Sequence, residues 1–269
     1  MRELSGEEIK KELLKMMSWL SDFCDKHDIK YSLAYGTLIG AVRHRGFIPW
    51  DDDIDIVMLR KDYERLLAEA SKIEENSDFS ILYPENSLSG YPFAKFVNKK
   101  IVVKQAMIVA ADDYLWIDIF PLDKVPESKI ERGKIHKKAR YYRTMIESCK
   151  FDISDLSNPT LKQRMKACLR PVLNLLGPAY FSNKCNQLVR KTYDSCSSSP
   201  LVANIVWGHV EPGTIIEDQI EPLTKMDFQG REFSVMNCWD LFLRQIYGDY
   251  MALPDEQHRA SHGLVAYYE

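Results

Sequence analysis

The stretch FIPWDDDIDIVM, residues 47–58, places the tightest constraint on what this chain can become. Asp51, Asp52, Asp53 and Asp55 fall within five positions, at the entrance to an apolar run that must enter a core. Asp53, Ile54, Asp55 and Ile56 alternate with a period of two. That predicts a strand with both isoleucines on the core face and Asp53 and Asp55 together on the other. Two carboxylates so placed are ~6–7 Å apart and repel by ~2–3 kcal/mol at an effective dielectric near ~20. A strand anchored in the core cannot move them apart, so the pattern asks for a cation. Hard oxygen donors suit Mg²⁺, with Mn²⁺ as the alternative. A solvated acidic turn is the plainest competing reading. A calcium loop fails because Ile56 stands where glycine is wanted and Asp62 where glutamate closes the loop. A third reading is a metal site for phosphoryl chemistry, in which the cation neutralises phosphate oxygens during displacement.

The flanking sequence favours the third. Upstream, AYGTLIGAVR reads as a strand, then Gly36-Thr37, then a helix start. A glycine lets backbone approach a phosphate, and the free N–H groups of a helix N-terminus can bind it. Arg43, His44 and Arg45 follow within two helical turns, within range of phosphate oxygens or as a solvated basic turn. Downstream, WIDIFPLD puts Asp118 between Ile117 and Ile119, a lone carboxylate on an apolar strand that needs a partner. Gly36-Thr37, the acidic strand and Asp118 form one coherent site for moving a phosphoryl or nucleotidyl group.

The rest of the chain supplies the frame. Ser5 and Glu8 make a capping box for a helix reaching about His27, with Ile9, Leu13, Met16, Leu20 and Phe23 at helical spacing. Residues 61–73 read as one amphipathic helix. FSILY, PFAKFVN, IVVK and YLWIDIF read as strands, the last ending at Pro121. Interleaved strands and helices predict an α/β (α+β) fold: a mixed sheet flanked by helices, with a catalytic core over residues 1–125. Residues 126–200 form a basic, mainly helical subdomain, and 201–269 a C-terminal segment with a strand near REFSVMN and a helix through CWDLFLRQIYG. Between residues 129 and 191 stand fifteen Lys or Arg and four acids, although the whole chain carries a net charge of −3. This predicts either a solvated basic face or a surface for an anionic polymer or membrane leaflet. Pro171 and Pro178 argue against one unbroken helix there.

The N-terminus is charged from its second residue and has no apolar signal region, so a cytoplasmic protein is expected, with peripheral contact at the inner membrane face. The six cysteines show no zinc spacing and read as reduced thiols.

The block YGTLIGAVRHRGFIPWDDDIDIVM closely resembles the LicD family of phosphocholine transferases, related to the fukutin-type sugar phosphotransferases and built on a nucleotidyltransferase fold. WIDIFPLD and, more weakly, YGDYMALPDEQHRASH extend the resemblance. It implies that Gly36 and Thr37 hold the donor phosphates, that Asp53 and Asp55 bind the metal, and that Asp118 is the third carboxylate. Asp51 is an additional ligand candidate, and Arg259 and His262 match a C-terminal basic motif that contacts substrate. The implied reaction moves phosphocholine from CDP-choline to a hydroxyl of a surface glycan, of teichoic acid or lipopolysaccharide type, or its lipid-linked precursor. No nucleic acid partner is expected. A quaternary ammonium needs aromatic faces, for which Trp50, Trp116 and Tyr35 are the candidates, followed by Tyr91 and Trp207. Competing functions are a nucleotidyltransferase using an NTP, a transferase using another CDP-linked alcohol, and a non-enzymatic polyanion- or membrane-binding protein.

Overall fold

A computed structural model describes residues 2–86, 90–104, 114–153, 158–208, 211–255, 259 and 264–268. Helix α1 (Gly6–Lys26) starts at the expected capping box: Ser5 Oγ accepts from Glu8 N, and Glu8 Oε2 accepts from Ser5 N at 2.8 Å. Its buried stripe, Ile9, Leu13, Met16, Leu20 and Cys24, lies against the sheet, where Trp19 stacks on Phe96.

The main sheet runs β1 (Arg2–Glu3), β11 (Val265–Tyr268), β5 (Ala94–Lys104), β6 (Tyr114–Lys124), β3 (Asp55–Leu59), β2 (Ser32–Leu33). β3 and β6 are parallel, and the other pairings along this order are antiparallel. β4 (Phe79–Leu82) pairs with β5, while β7 (Leu201–Ala203) joins the end of β6 to β8 (Ile215–Ile216). A separate hairpin pairs β9 (Thr224–Phe228) with β10 (Arg231–Val235). The helices are α2 (Tyr35–His44), α3 (Arg60–Ala68), α4 (Ala70–Asn76), α5 (Lys129–Lys150), α6 (Leu161–Leu173), α7 (Pro178–Ser195) and α8 (Trp239–Tyr247). The mixed α/β class expected from the sequence is the observed one. The main buried cluster takes Leu122, then Ala139, Cys185 and Val189, then Val202, Phe242 and Ala266, so all three sequence segments share one core.

Several local expectations differ. The strand before Gly36 shrinks to Ser32–Leu33, because α2 begins at Tyr35 and takes Gly36 and Thr37 into its first turn. The acidic strand begins at Asp55. Asp53 lies in the extended lead-in, which is held where Asp118 N donates to Ile54 O at 2.9 Å. The helix expected over 61–73 breaks in two at Glu69. The two strands expected around residues 92–104 are one, β5, with an irregularity between Asn98 and Val102. β6 continues through Pro121 to Lys124. The β5 ladder has already ended at Ala94–Ile119, so the missing N–H of proline interrupts no bond on that side. Pro171 sits inside the last turn of α6, and Pro178 opens α7. Among the described residues no helix is long and apolar enough to cross a membrane.

Candidate active site

The alternation of the sheet builds the site. Phe96 and Ile117 point toward α1 and the core, so their neighbours Lys95, Trp116 and Asp118 go to the opposite face. Asp55 is the register partner of Asp118 across the parallel β3–β6 pair, and Lys95 is its partner on the antiparallel side. Three charged residues on three adjacent strands thus sit in one row. Over them opens a cavity of about 530 Å³ lined also by Asp53, Tyr35 and Tyr247, by the aromatic group Tyr91, Phe93 and Trp207, and by Arg143 and Glu147 from α5.

The electrostatics of the row are unbalanced. Burial pushes the Asp55 carboxyl well above the usual carboxylate range, and Asp53, Asp118 and Asp51 push it further, with Lys95 opposing. Lys95 Nζ lies 3.2 Å from Asp118 Oδ1, in a pair whose side chains are only 10% and 15% exposed. That contact is an ion pair without hydrogen-bond alignment, since Asp118 Oδ1 is buried with no hydrogen-bond partner among the described residues. The same ammonium sits 4.0 Å from the Trp116 ring centroid and 4.3 Å from that of Tyr91, so an aromatic wall already holds a cation here. Trp116 is buried, and its Nε1–H has no acceptor among the described residues.

Second-layer contacts hold these groups. Thr37 is buried and its hydroxyl accepts from Asp55 N at 2.8 Å, which ties the start of α2 to the first residue of β3. A β-carbon on Gly36 would fall 2.8 Å from Asp51 Oδ2, so the absence of a side chain there admits the Asp51 carboxylate to the start of α2. Asn204 donates to Tyr35 Oη at 3.0 Å and accepts from Trp207 N at 3.0 Å, bracing the far wall. Arg143 donates to the carbonyl of Trp207 and lies 5.6 Å over its ring. Burial raises the hydroxyl pKa of Tyr35, keeping that phenol neutral.

The donor set is all oxygen, crowded and short of positive charge, and among the described residues the buried Asp118 Oδ1 has no hydrogen-bond partner. Those properties fit a hard divalent cation. Among the described residues no three carboxylate, imidazole or thiol groups are already drawn into a finished ligand set. The Lys95 ammonium is the positive charge that faces Asp118.

Residues 28–162 match the family described as LicD/FKTN/FKRP, nucleotidyltransferase domain. The chain belongs to the LicD family. It is 29% identical to the lipopolysaccharide cholinephosphotransferase LicD of Haemophilus influenzae over 274 aligned residues, covering 100% of this chain and 99% of that protein. An uncharacterized Rickettsia prowazekii protein, RP689, is 41% identical over 68 residues, covering 22% of this chain and 26% of that protein. Another from Rickettsia typhi, RT0683, is 28% identical over 125 residues, covering 44% and 40%.

The site expected for a LicD protein is partly gathered and partly dispersed. Asp53, Asp55, Asp118, Tyr35, Trp116, Tyr91 and Trp207 line one cavity. Asp51 lies against Gly36, next to that cavity. Arg43, His44 and Arg45 do not line it. Arg43 donates to the carbonyls of Tyr250 (2.8 Å) and Ala252 and, through Nε, to His44 Nε2, while Arg45 caps α2 in the left-handed region. Trp50 is also outside, 5.1 Å beneath the Arg259 guanidinium. His262 lies outside the described residues. The reading from sequence passed over Lys95, Arg143, Glu147, Asn204 and Tyr247.

Proposed function

We propose that this LicD-family chain is a metal-dependent phosphotransferase that moves phosphocholine from CDP-choline to a hydroxyl of a cell-surface glycan, releasing CMP. Lipopolysaccharide-type glycan is the acceptor the Haemophilus relative's name favours, with a lipid-linked precursor as the form presented to the site. The observation that carries the reading is the row Asp55–Asp118–Lys95, with Asp53 beside it, in one aromatic-walled cavity.

Asp53, Asp55 and Asp118 would hold Mg²⁺, with Asp51 supporting from beside Gly36. Bound there, the cation would neutralise the diphosphate oxygens and stabilise CMP as it leaves. The acceptor oxygen forms its bond to the choline-bearing phosphorus as the bond from that phosphorus to the CMP oxygen breaks. Asp118 would also be the carboxylate placed to receive the acceptor's proton. Lys95, which faces Asp118 at 3.2 Å, would be free to meet the transferred phosphoryl oxygens if a cation took its place on that carboxylate. Tyr91, Phe93 and Trp116 would supply faces for the trimethylammonium, a role supported by the Lys95 ammonium they already surround, and Trp207 packs on Phe93 beside them.

The test is product identity. The purified chain, given Mg²⁺, an acceptor glycan and CDP-choline, should release CMP, and Asp53→Asn should abolish release. Pyrophosphate from CTP would replace this reading with nucleotidyl transfer. CMP from CDP-ribitol but not CDP-choline would change the head group.

A further inference from the structure

Helix α6 is amphipathic, but its apolar side faces outward. No described side chain on it is buried, and only Leu173 reaches the small cluster of Ile146, Cys149 and Phe181 between α5 and α7. Leu161, Met165, Leu169 and Val172, followed by Leu175 and Leu176, are exposed, from 52% at Leu169 to 84% at Leu175. At ~100° per residue the first four fall within an arc of ~80°, so they form a stripe rather than a scatter. Arg164 and Lys166 border that arc, and from Thr160 to Lys191 there is no Asp or Glu at all.

We propose that α6 and the turn after it form a membrane-docking face that lies flat on an anionic lipid surface, with the leucine stripe in the headgroup–acyl boundary and the flanking cations on lipid phosphates. The charge pattern selects this occupant. A protein partner imposes a local mosaic of both signs at the rim, whereas a uniformly positive border matches a uniformly anionic sheet of headgroups. The face is also coupled to the cavity. Gly90, at φ +67°, sits so close to the first residue of α7 that a β-carbon would lie 2.7 Å from Pro178 Cβ, and its neighbour Tyr91 is a cavity wall. The turn carrying Leu175 and Leu176 leads directly into Pro178, the residue that Gly90 meets. Docking would bring that wall to the headgroup level, where a lipid-borne acceptor resides. That last consequence rests on the transfer reading, whereas the docking face does not.

The experiment is co-sedimentation of the full chain with phosphatidylcholine vesicles, with and without phosphatidylglycerol. Binding should require phosphatidylglycerol and weaken with salt. Leu161→Ser with Leu169→Ser should lower the partition coefficient ~tenfold or more. Arg164→Glu with Lys166→Glu should lower it at low salt and remove most of its salt dependence. All four side chains are at the surface or partly so, and far-UV circular dichroism should show an unchanged fold. No binding to anionic vesicles, or binding indifferent to both double variants, would overturn the proposal. Self-association of the wild type that these variants abolish, without vesicle binding, would assign the face to a second copy instead. CMP release from CDP-choline in the same preparations separates the two ideas: docking without release leaves this face standing and the transfer reading fallen, and release without docking does the reverse.

Discussion

Replacing Lys95 by methionine tests the core of the site without touching a carboxylate. At 3.2 Å, an effective dielectric near ~20 gives the Lys95–Asp118 pair a gross attraction of ~5 kcal/mol, much of it offset by desolvation. Methionine keeps most of the volume and the aromatic contacts but leaves Asp118 buried beside Asp55 with no cation. Removing one partner of such a pair costs ~3–5 kcal/mol, and that is the expected loss in urea unfolding of the metal-free protein. If Asp118 belongs to a metal site, Mg²⁺ supplies the missing charge. The variant no longer spends binding energy on displacing an ammonium, so it should gain more from the metal than the wild type does. Saturating Mg²⁺ should therefore shrink the penalty to below ~2 kcal/mol, through preferential binding to the folded state. Turnover should stay low throughout, because the proposed contact of Lys95 with the phosphate is lost. An equal penalty with and without Mg²⁺ would refute the assignment of Asp118 to the metal. No penalty in either condition would mean that the ion pair contributes nothing.

Asp55→Asn should make the metal-free protein more stable at neutral pH while lowering CMP release at least ~100-fold. The sign follows from the raised carboxyl of Asp55: folding favours its protonated form, so that contribution is present at low pH and is lost as pH rises through the folded-state titration. The amide removes the loss, and the stability gap over wild type should widen as pH rises above the ordinary carboxylate range in unfolding titrations. Gly36→Ala should cost ~1–3 kcal/mol and reduce turnover by displacing Asp51, whose Oδ2 would be 2.8 Å from the new carbon; full activity would show that Asp51 is dispensable. Trp207→Leu should raise KM for CDP-choline ~3–30-fold and leave KM for the uncharged head group of CDP-glycerol almost unchanged. Equal effects on both would mean that the ring packs and does not recognise charge.

What could be read in advance depended on how local the cause was. Asp118 was legible because a carboxylate between two isoleucines on a strand contradicts its surroundings. Lys95, between Ala94 and Phe96, carries the same signal with the opposite sign. Arg143 and Glu147 gave no such signal. One among fifteen basic residues reaches the cavity because α5 crosses that face of the sheet, and helix direction is set by contacts distant in sequence. β11 was missed for the same reason: Val265–Tyr268 is four residues long, and its partner Ile101–Lys104 lies more than a hundred residues away. Thr37 was expected to grip a phosphate from a turn. Its burial and its bond to Asp55 N give it a local task, positioning the carboxylate. The break between α3 and α4 occurs at Glu69, with neither glycine nor proline to announce it.

The charges that line the cavity argue for an order of binding. Asp53, Asp55, Asp118 and Glu147 face Lys95 and Arg143, four acids against two bases, so a bare pocket with its carboxylates ionised would repel a diphosphate. A cation bound first would remove that repulsion, since its two positive charges would cancel the excess and, on the proposed reading, free Lys95 for the incoming phosphate. Donor binding by calorimetry should then be weak without Mg²⁺ and strengthen with it, and linkage requires the donor to tighten Mg²⁺ by the same factor. The Lys95→Met variant separates the two halves of that coupling. It should bind Mg²⁺ at least as well as the wild type in the absence of donor, and show a smaller factor when donor is added, because the ammonium proposed to link the metal to the phosphate has been removed.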